Sequence, residues 1–354
     1  KSGVRLGVID DINIIQFDTK YSNNQSLTRR ALSFFLFTVR SARFVFSLEY
    51  DVIFTTSTPL TIGIPGILAK IFRGKYFVLE VRDLWPELPK AMGVVTNPLV
   101  LLGMSILEYC TYKSADRLIG LSGGMVEGIV RRGIPKDRVA LLPNGCDLSL
   151  FDDQNIRVKD SIFSNDNFVV IFAGAHGIAN GLDSVLDAAI YISELGEDKI
   201  KFLFIGDGKS KPDLIKFAHK KKLGNCTFMP SMPKNDIVRY LINANVGLQV
   251  LQNIPEFYNG TSPNKCFDYL AAGLPVVVNY PGEVANIIID NDLGYAVPPE
   301  SPSALGDALI ALKNNPVLLK DMKINAKKVA IAKYDRRLIV EKWVAWVTQE
   351  APNG

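Results

Sequence analysis

One stretch of the chain, residues 257–282, combines a Gly/Pro/Asn-rich loop, one lysine and one aspartate ahead of a Val-rich run. It reads FYNGTSPNKCFDYLAAGLPVVVNYPG. Lys265 supplies positive charge, and Asp268 would lie one helical turn later on the same face, where it can accept hydrogen bonds from two hydroxyl groups. The loop adds main-chain amides and small polar groups at Gly260, Thr261, Ser262 and Asn264. A diphosphate joined to a ribose fits this set, although Asp268 could also be an exposed residue that merely favours the helix dipole.

Two glycine turns earlier in the chain could contribute to the same site. The first, AGAHGIANG, carries Gly174 and Gly177, and the second, FIGDGKSKPDL, carries Gly206 and Gly208 ahead of Lys211. Glycines let the main chain approach a ligand, and amides at the start of a helix favour an anion. Each turn alone is a weak signal, and most lysines after the second are typical of a solvated helix face. Together with residues 257–282 they predict one anion-binding crevice.

Short runs rich in Val, Ile and Phe recur along the chain with helical stretches between them, which is typical of βαβ units. The predicted strands are Asp51–Ser57, Tyr76–Asp83, Asp116–Ser122, Val139–Asn144, Phe168–Ala173, Ile200–Gly206, Cys226–Pro230, Val246–Leu251, Pro275–Tyr280 and Gly294–Val297. Apolar strands separated by helices predict parallel sheets that are covered on both faces. The polar segment Asp152–Asn167 predicts a linker between two domains.

We therefore expect an α/β protein of two doubly wound domains whose strands end toward a central cleft. The first domain spans residues 1–152, the second spans residues 153–330, and a closing helix occupies residues 331–354. The cleft is the expected position of the ligand, because open α/β sheets bind ligands beyond the carboxyl ends of their strands.

The composition restricts the class of protein. The chain has 354 residues, of which 48% are hydrophobic, and this is enough for two cores of ordinary size. A net charge of +4 does not indicate a nucleic-acid-binding protein. The four cysteines are widely separated and predict reduced thiols rather than disulfides or a zinc site. No signal peptide is visible, and prolines interrupt the apolar run Val52–Ala69, so we expect a cytoplasmic protein without a membrane-spanning helix.

Several segments, in the same order along the chain, resemble one family. They are VLEVRDLWPELPKAMG, LSGGMVEGIV and LPNGCDLSLF in the first domain and NGLDSVLDAA, FIGDG and SPNKCFDYLAAGLPVVV in the second. The chain is similar to the retaining GT-B glycosyltransferases of family 4, and most of all to their bacterial surface-polysaccharide branch. The resemblance implies two Rossmann-like domains, a nucleotide-sugar donor bound mainly by the second domain, transfer with retention of anomeric configuration, and no metal or other cofactor.

The resemblance also assigns roles to single residues, with two departures. Asp268 takes the place of the second Glu of the family's E-x7-E motif, which holds the ribose. The first Glu of that motif falls on Gly260, so main-chain amides of residues 260–264 would contact the donor sugar. The basic pair that many relatives carry in the first glycine turn reads GAHGIANG here. The resemblance therefore implies that Lys211 and Lys265 contact the diphosphate instead.

Four residues are expected to act in catalysis, namely Arg82, Asp83, His176 and Lys265. His176 could donate a hydrogen bond to a phosphate or hydroxyl of the donor, or it could simply be packed within its turn. Arg82 stands where many relatives have a catalytic histidine, and it could stabilise a leaving phosphate. Asp83 and Glu87 would face the acceptor with it, unless Arg82 forms a salt bridge with one of them. The segment Asp290–Asp292 imitates a D-x-D metal motif, but we interpret it as a turn.

The segment Ser26–Glu49 has two interpretations. Placed on a helix, it has a narrow polar stripe and a broad apolar side. The stripe comprises Arg29, Ser33, Arg40, Arg43 and Ser47, and the apolar side comprises Phe34, Phe35, Val39, Val45 and Phe46. It is either a core helix with one solvent-exposed edge or a helix that lies on an anionic membrane. We favour the second interpretation. The strand, glycine-rich turn and helix with which relatives begin are not recognisable here, so we expect an incomplete first domain.

The function expected from these features is transfer of a sugar from a UDP-sugar to a lipid-linked or saccharide acceptor in surface-polysaccharide biosynthesis. The sugar is expected to be an N-acetylated hexosamine or a deoxy relative, and the enzyme is expected at the inner face of the cytoplasmic membrane. A nucleotide-sugar isomerase of the same architecture and a non-catalytic two-lobed binding protein are the alternatives. An isomerase would need a titrating pair beside the sugar, and no paired carboxylates are found beside the donor loop.

Overall fold

A computed structural model describes residues 3–19, 25–152, 158, 160–164 and 166–349. The chain forms two compact units. The first comprises the described residues of Lys1–Leu121, Met125–Leu141 and Trp346–Gly354, and the second comprises those of Ser122–Gly124 and Leu142–Ala345.

The first unit contains an antiparallel hairpin and a four-stranded parallel sheet. The hairpin strands are β1 (Val4–Ile9) and β2 (Ile12–Phe17), and the sheet strands, in spatial order, are β3 (Val52–Ser57), β4 (Tyr76–Val81), β5 (Arg117–Gly120) and β6 (Val139–Leu141). The α-helices among the described residues of this part of the chain are α1 (Leu27–Ser47), α2 (Gly63–Arg73), α3 (Glu87–Ala91), α4 (Pro98–Ser114) and α5 (Gly123–Arg131).

The core of the first unit forms around β4, where Phe77, Leu79 and Val81 are buried. These residues pack with Leu118 of β5 and Ile129 of α5, which are also buried. Burial of large aliphatic and aromatic side chains on both faces of β4 explains why this strand reads as a continuous apolar run in the sequence.

The second unit is built on a six-stranded, fully parallel sheet in the spatial order β12-β11-β10-β7-β8-β9. Its strands are β7 (Phe168–Ala173), β8 (Ile200–Ile205), β9 (Cys226–Met229), β10 (Val246–Gln249), β11 (Val276–Val278) and β12 (Gly294–Ala296). Its helices are α6 (Leu182–Glu194), α7 (Lys211–Lys220), α8 (Lys234–Asn243), α9 (Pro255–Asn259), α10 (Asn264–Ala272), α11 (Glu283–Asp290), α12 (Pro302–Asn314), α13 (Pro316–Lys333) and α14 (Arg336–Thr348).

The ten predicted strands all form, each within three residues of its predicted ends, and the prediction of two parallel α/β sheets is confirmed. Residues 153–157, 159 and 165 of the predicted linker lie outside the described residues. The turn predicted at Asp290–Asp292 is confirmed, since Asp292 has a positive φ of 49° between α11 and β12. Within the described residues, no helix is long and apolar enough to span a membrane.

Residues 142–152 belong with the second unit because they are bonded to the start of α14. The amide of Cys146 donates to the carbonyl of Tyr334 (2.9 Å), and the amide of Arg336 donates to the carbonyl of Cys146 (3.0 Å). The Arg336 guanidinium also forms an ion pair with Asp147. These contacts place Asp147 beside α8 and α10 of the second unit, close to the candidate site described next.

Candidate functional site

The two glycine turns lie side by side because β7 and β8 are neighbours in the sheet. Ala173 pairs with Ile205 at the carboxyl ends of these strands, and the amide of Gly174 donates to the carbonyl of Ile205 (2.9 Å). The first turn therefore begins directly against the second. The structure thus brings together Gly174, Gly177, Gly206 and Gly208 at one edge of the sheet, where parallel α/β sheets bind ligands.

Two of these glycines are required by close main-chain packing. Gly206 and Gly208 have φ of 148° and 157°, in a region that side chains rarely allow. A Cβ atom on Gly206 would lie 1.9 Å from the carbonyl oxygen of Gly174, and one on Gly208 would lie 2.5 Å from that of His176. By contrast, a Cβ on Gly177 would contact nothing within 4 Å, so open space remains at that point of the first turn.

His176 points into the core of the second unit. Its side chain is fully buried, and its ring lies about 6 Å from the rings of Phe172, Phe204 and Phe228. Neither ring nitrogen has a hydrogen-bond partner among the described residues. Burial lowers the pKa of His176 to about 4, with a further contribution from the charge of Lys211. The imidazole is therefore neutral at pH 7. Its apolar surroundings favour the interpretation that His176 is packed within its turn over the interpretation that it contacts a donor.

Lys211 binds the main chain. Its Nζ donates to the carbonyl oxygens of Gly206 (2.7 Å) and Met229 (2.8 Å), the residues at the ends of β8 and β9. The ammonium group thereby satisfies two strand-end carbonyls and ties the second glycine turn to the neighbouring strand. This arrangement gives Lys211 a structural explanation that the sequence did not suggest.

Lys265 lies at the start of α10 and reaches the first glycine turn. Its Nζ donates to Oδ1 of Asn180 (2.8 Å) and lies 4.7 Å from the centre of the Phe172 ring. A Cβ on Gly174 would come within 3.1 Å of the Lys265 side chain, so the bare glycine leaves room for the lysine. Desolvation lowers the pKa of Lys265 from 10.5 to about 8. The cation lies beside the first glycine turn, and among the described residues no carboxylate is within ion-pair distance of it.

Asp268 follows one turn later on α10, and its side chain is 17% exposed. Oδ1 lies 3.0 Å from Nζ of Lys234 on α8, and the same Nζ lies 3.1 Å from Oδ2 of Asp147. Burial raises the pKa of Asp268, while the charge of Lys234 lowers it. Sequence reasoning missed Lys234 because it precedes Asp268 by more than 30 residues and shares no motif with it.

The three charged side chains face one small cavity. It has a volume of about 60 Å³ and is lined by Ala173 at the end of β7, by α8 and by the first turns of α10. Lys234, Lys265 and Asp268 contribute its polar lining. Two cations and one carboxylate therefore converge next to the glycine turns, as binding of a diphosphate and a ribose would require.

The loop before α10 is braced by its own polar side chains. Thr261 Oγ1 donates to the carbonyl of Phe257 (3.1 Å), and Ser262 accepts from both the amide and the side chain of Asn144 (3.1 and 2.6 Å). A Cβ on Gly260 would lie 2.6 Å from the carbonyl of Glu256, so a side chain there would displace the loop. Asn264 is exposed and begins α10. The groups left to meet a ligand are the main-chain amides of this segment and the exposed side chain of Asn264.

Arg82 and Asp83 lie in the first unit, directly after β4. Arg82 Nη1 lies 3.3 Å from Glu80 Oε1, so its ion-pair partner is Glu80 rather than the predicted Asp83 or Glu87. Asp83 accepts a hydrogen bond from Thr58 Oγ1 (2.9 Å), and burial raises its pKa. Within the described residues, no group of three or more His, Cys, Asp or Glu is arranged to hold a metal ion.

Comparison with known families identifies the class of protein. The model for "Glycosyl transferases group 1" matches residues 153–329, which is half of the chain, and the model for "Glycosyl transferase 4-like domain" matches residues 10–145. The chain belongs to the group 1 glycosyltransferase family. It is therefore a transferase that moves sugars, and the expected enzyme class is confirmed.

Individual relatives agree with this assignment. The chain is 25% identical over 299 residues to the probable glycosyltransferase WbjE of Pseudomonas aeruginosa, with 80% of this chain and 72% of the relative aligned. It is 22% identical over 253 residues to the alpha-galactosylglucosyldiacylglycerol synthase of Streptococcus pneumoniae, with 69% of this chain and 63% of the relative aligned.

Solved structures confirm the fold. Sucrose-phosphate synthase of Thermosynechococcus elongatus matches with a TM-score of 0.76 at 18% identity, over 97% of this chain and 84% of its own. HepE of Anabaena, solved with UDP-glucose, matches with a TM-score of 0.67 at 17% identity, over 91% and 84% of the two chains. The predicted GT-B fold of two Rossmann-like units is thus confirmed.

Proposed function

We propose that this glycosyltransferase transfers a sugar from a UDP-sugar, with retention of anomeric configuration and without a metal ion, to a lipid-linked or saccharide acceptor of surface-polysaccharide biosynthesis. The donor sugar is an N-acetylated hexosamine or a deoxy relative of one. The donor binds to the second unit, at the carboxyl ends of β7 and β8 and the start of α10.

The observation that carries this proposal is the placement of Lys265 and Asp268 one turn apart, facing the same cavity beside the glycine turns. In the proposed complex, Lys265 and the first amides of α10 neutralise the diphosphate, and charge on the leaving nucleotide is stabilised by groups that are already in position. Asp268 accepts hydrogen bonds from the ribose hydroxyls. Main-chain amides of residues 260–264 contact the sugar.

The comparisons support the donor class. HepE of Anabaena has been solved with UDP-glucose, and the S. pneumoniae relative is named for a glycolipid product.

In the first unit, we assign Arg82 and Asp83 to the acceptor or to the leaving phosphate. His176 is kept as a candidate only in its neutral form, in which it can donate one hydrogen bond.

The exposed side of α1 supports a membrane-bound acceptor. Leu32, Phe35, Val39 and Phe46 are each at least 40% exposed on this helix, and Arg43 is exposed beside them. Apolar side chains accompanied by arginine are the features of a helix that lies on an anionic lipid surface. We propose that this surface holds the enzyme at the inner face of the membrane that carries its acceptor.

Transfer assays with a panel of UDP-sugars and membrane lipid extracts test the function. We expect UDP release that depends on one donor and on the extract, that persists in EDTA, and that gives a product with the anomeric configuration of the donor, as determined by NMR. An inverted product or strict dependence on Mg²⁺ or Mn²⁺ would contradict the mechanism. Epimerised UDP-sugar without transfer would indicate the isomerase, and tight donor binding without any turnover would indicate the binding protein.

A further inference from the structure

Asp268 stands at one end of a row of alternating charges. Arg336 at the start of α14 pairs with Asp147, Asp147 lies 3.1 Å from Lys234 Nζ, and Lys234 Nζ lies 3.0 Å from Asp268 Oδ1. The row connects the segment after β6, the start of α8, the middle of α10 and the start of α14. All four side chains belong to the second unit.

The oxygen that Lys234 contacts is inaccessible to solvent. Asp268 Oδ1 is buried, and it forms an ion pair with Nζ of Lys234 at 3.0 Å. The Asp268 side chain as a whole is nevertheless 17% exposed. The accessible part of Asp268 is therefore not the oxygen that Lys234 contacts, so it stays open to a ribose even though Lys234 lines the same cavity. Lys234 is placed to support the carboxylate rather than to occupy the position of the sugar.

We propose that Lys234 is a positioning residue of the donor site, which holds Asp268 as an oriented carboxylate for the ribose hydroxyls and is itself fixed by Asp147 and Arg336. This inference rests on the proposed function, because it takes Asp268 as the ribose contact. It adds a residue from α8 to a site that the sequence motifs confine to the glycine turns and α10.

Asp268 needs the support of Lys234 because burial opposes ionisation of its carboxyl group. Desolvation raises the pKa of Asp268, and Lys234 is the largest influence in the other direction. Asp147 raises the pKa of Asp268 and Arg336 lowers it. Lys265 faces the same cavity and has a pKa of about 8, so its titration is present in the wild type and in the variants alike. The buried thiol of Cys146 and the phenol of Tyr269 also lie near Asp268, and burial raises the pKa of each, so both are neutral near pH 7.

Loss of Lys234 should therefore change how nucleotide binding depends on pH. A protonated Asp268 is a weaker acceptor for the ribose hydroxyls than the carboxylate, so UDP affinity falls as the pH falls through the pKa of Asp268. Without Lys234 that pKa rises, and the fall begins at a higher pH. A residue that served only to hold α8 in place would lower affinity by the same factor at every pH.

The experiment measures UDP affinity by calorimetry at about pH 8 and about pH 6 for the wild type, Lys234→Met and Lys234→Arg. Each unit of pKa corresponds to a tenfold change in the ionised fraction below the pKa, so Lys234→Met should lose more affinity than the wild type between the two pH values, by up to about ten-fold for each unit by which the Asp268 pKa rises. Lys234→Arg should restore the wild-type ratio to within about three-fold, because it keeps the charge. Lys220→Met, an exposed lysine of α7, is the matched control and should behave as the wild type.

A second comparison uses Asp268→Asn as the background. If Lys234 acts through Asp268, Lys234→Met adds no further pH dependence to Asp268→Asn. A pH-independent loss in Lys234→Met, or an equal loss in both backgrounds, would overturn the inference and indicate structural support or direct contact with the nucleotide. Tighter binding in Lys234→Met would also overturn it, since Lys234 would then compete with the ribose. If Lys234→Met does not fold, Lys234→Gln replaces it.

The same data separate this inference from the proposed function. A wild type that binds no UDP, or an Asp268→Asn variant that binds UDP normally at every pH, overturns the proposed donor site and the role of Lys234 with it. In the remaining case the wild type binds UDP, and Asp268→Asn weakens that binding, while Lys234→Met loses UDP affinity by the same factor at every pH. That result overturns the role of Lys234 alone.

Discussion

Lys265 combines two properties that a diphosphate site needs, namely positive charge and partial removal from water. Its ammonium group is held by the side-chain oxygen Oδ1 of Asn180 and the face of the Phe172 ring, neither of which carries a full negative charge. Charges interact more strongly where water is excluded, so the same desolvation that lowers the pKa of Lys265 increases its attraction for an incoming phosphate. An arriving diphosphate would give this cation the opposite charge that it lacks in the free protein.

The lowered pKa of Lys265 predicts loss of activity in mild alkali. The cation exists below a pKa of about 8 and is lost as the pH rises through that value. We expect kcat/KM for the donor, which reports the free enzyme, to fall above about pH 8, and kcat to fall at a higher pH because bound phosphate stabilises the ammonium. Lys265→Arg should keep its charge over this range and remove the decline in kcat/KM. A decline that persists unchanged in Lys265→Arg would assign the titration to another group.

Sequence reasoning placed Lys265 and Asp268 together because both lie on one helix, where a spacing of three residues puts two side chains on one face. It could not distinguish between lysines on different helices. Lys211 was expected at the diphosphate and binds carbonyl groups, whereas Lys234 was not considered and lies against Asp268. Which lysine reaches the site depends on where each helix starts relative to the strand before it, and this is set by tertiary packing.

At the scale of elements, Lys211 joins the carboxyl ends of β8 and β9, and this predicts a loss of stability. Lys211→Met removes two charge-assisted hydrogen bonds to carbonyls and should lower the free energy of unfolding by about 1–3 kcal/mol. Denaturant unfolding measures this loss. The affinity of the folded variant for UDP, measured without denaturant, should change little. A variant with normal stability and weakened UDP binding would instead support the sequence-based assignment of Lys211 to the diphosphate.

The helix expected over Ser26–Glu49 forms as α1, but its two faces are not divided as the pattern suggested. Val45 and Thr38 are buried, whereas Phe35, Val39 and Phe46 of the predicted apolar side are exposed. Arg40, from the predicted polar stripe, donates to the carbonyl of Asp18 and to the hydroxyl of Thr19. Periodicity identifies an apolar side, but it does not say whether protein or another medium covers that side.

The exposed side of α1 predicts binding to anionic vesicles. The protein should sediment with vesicles containing phosphatidylglycerol, and salt should release part of it, because charge attraction is screened with a Debye length of about 10 Å at 0.1 M. Phe35→Ser combined with Phe46→Ser should reduce binding at all salt concentrations. Ile289→Ser, at an exposed apolar residue of the second unit, is the matched control. Equal binding to neutral and anionic vesicles, or none to either, would count against the membrane proposal.

At the scale of the whole molecule, the two parallel sheets were predictable because each buried strand is a continuous apolar run between helices. The hairpin β1–β2 was not predicted. Its two-residue turn, Asp10–Asp11, has positive φ at both positions, which is the conformation that Asn-Gly or Asp-Gly normally supplies. Most side chains of β1 are exposed, so the hairpin lacks the buried alternation that identifies a strand in a sequence.

The central claim is that the second unit binds the donor through α10, with Lys265 at the diphosphate and Asp268 at the ribose. Calorimetric titration of UDP and of uridine into the wild type, Lys265→Ala and Asp268→Asn tests it most directly, with Asp213→Asn on α7 as the control. Lys265→Ala should weaken UDP by about 1.5–3 kcal/mol and leave uridine unchanged, while Asp268→Asn should weaken both ligands by a similar amount. If both variants bind UDP and uridine as the wild type does, the nucleotide binds elsewhere and this account of the site is wrong.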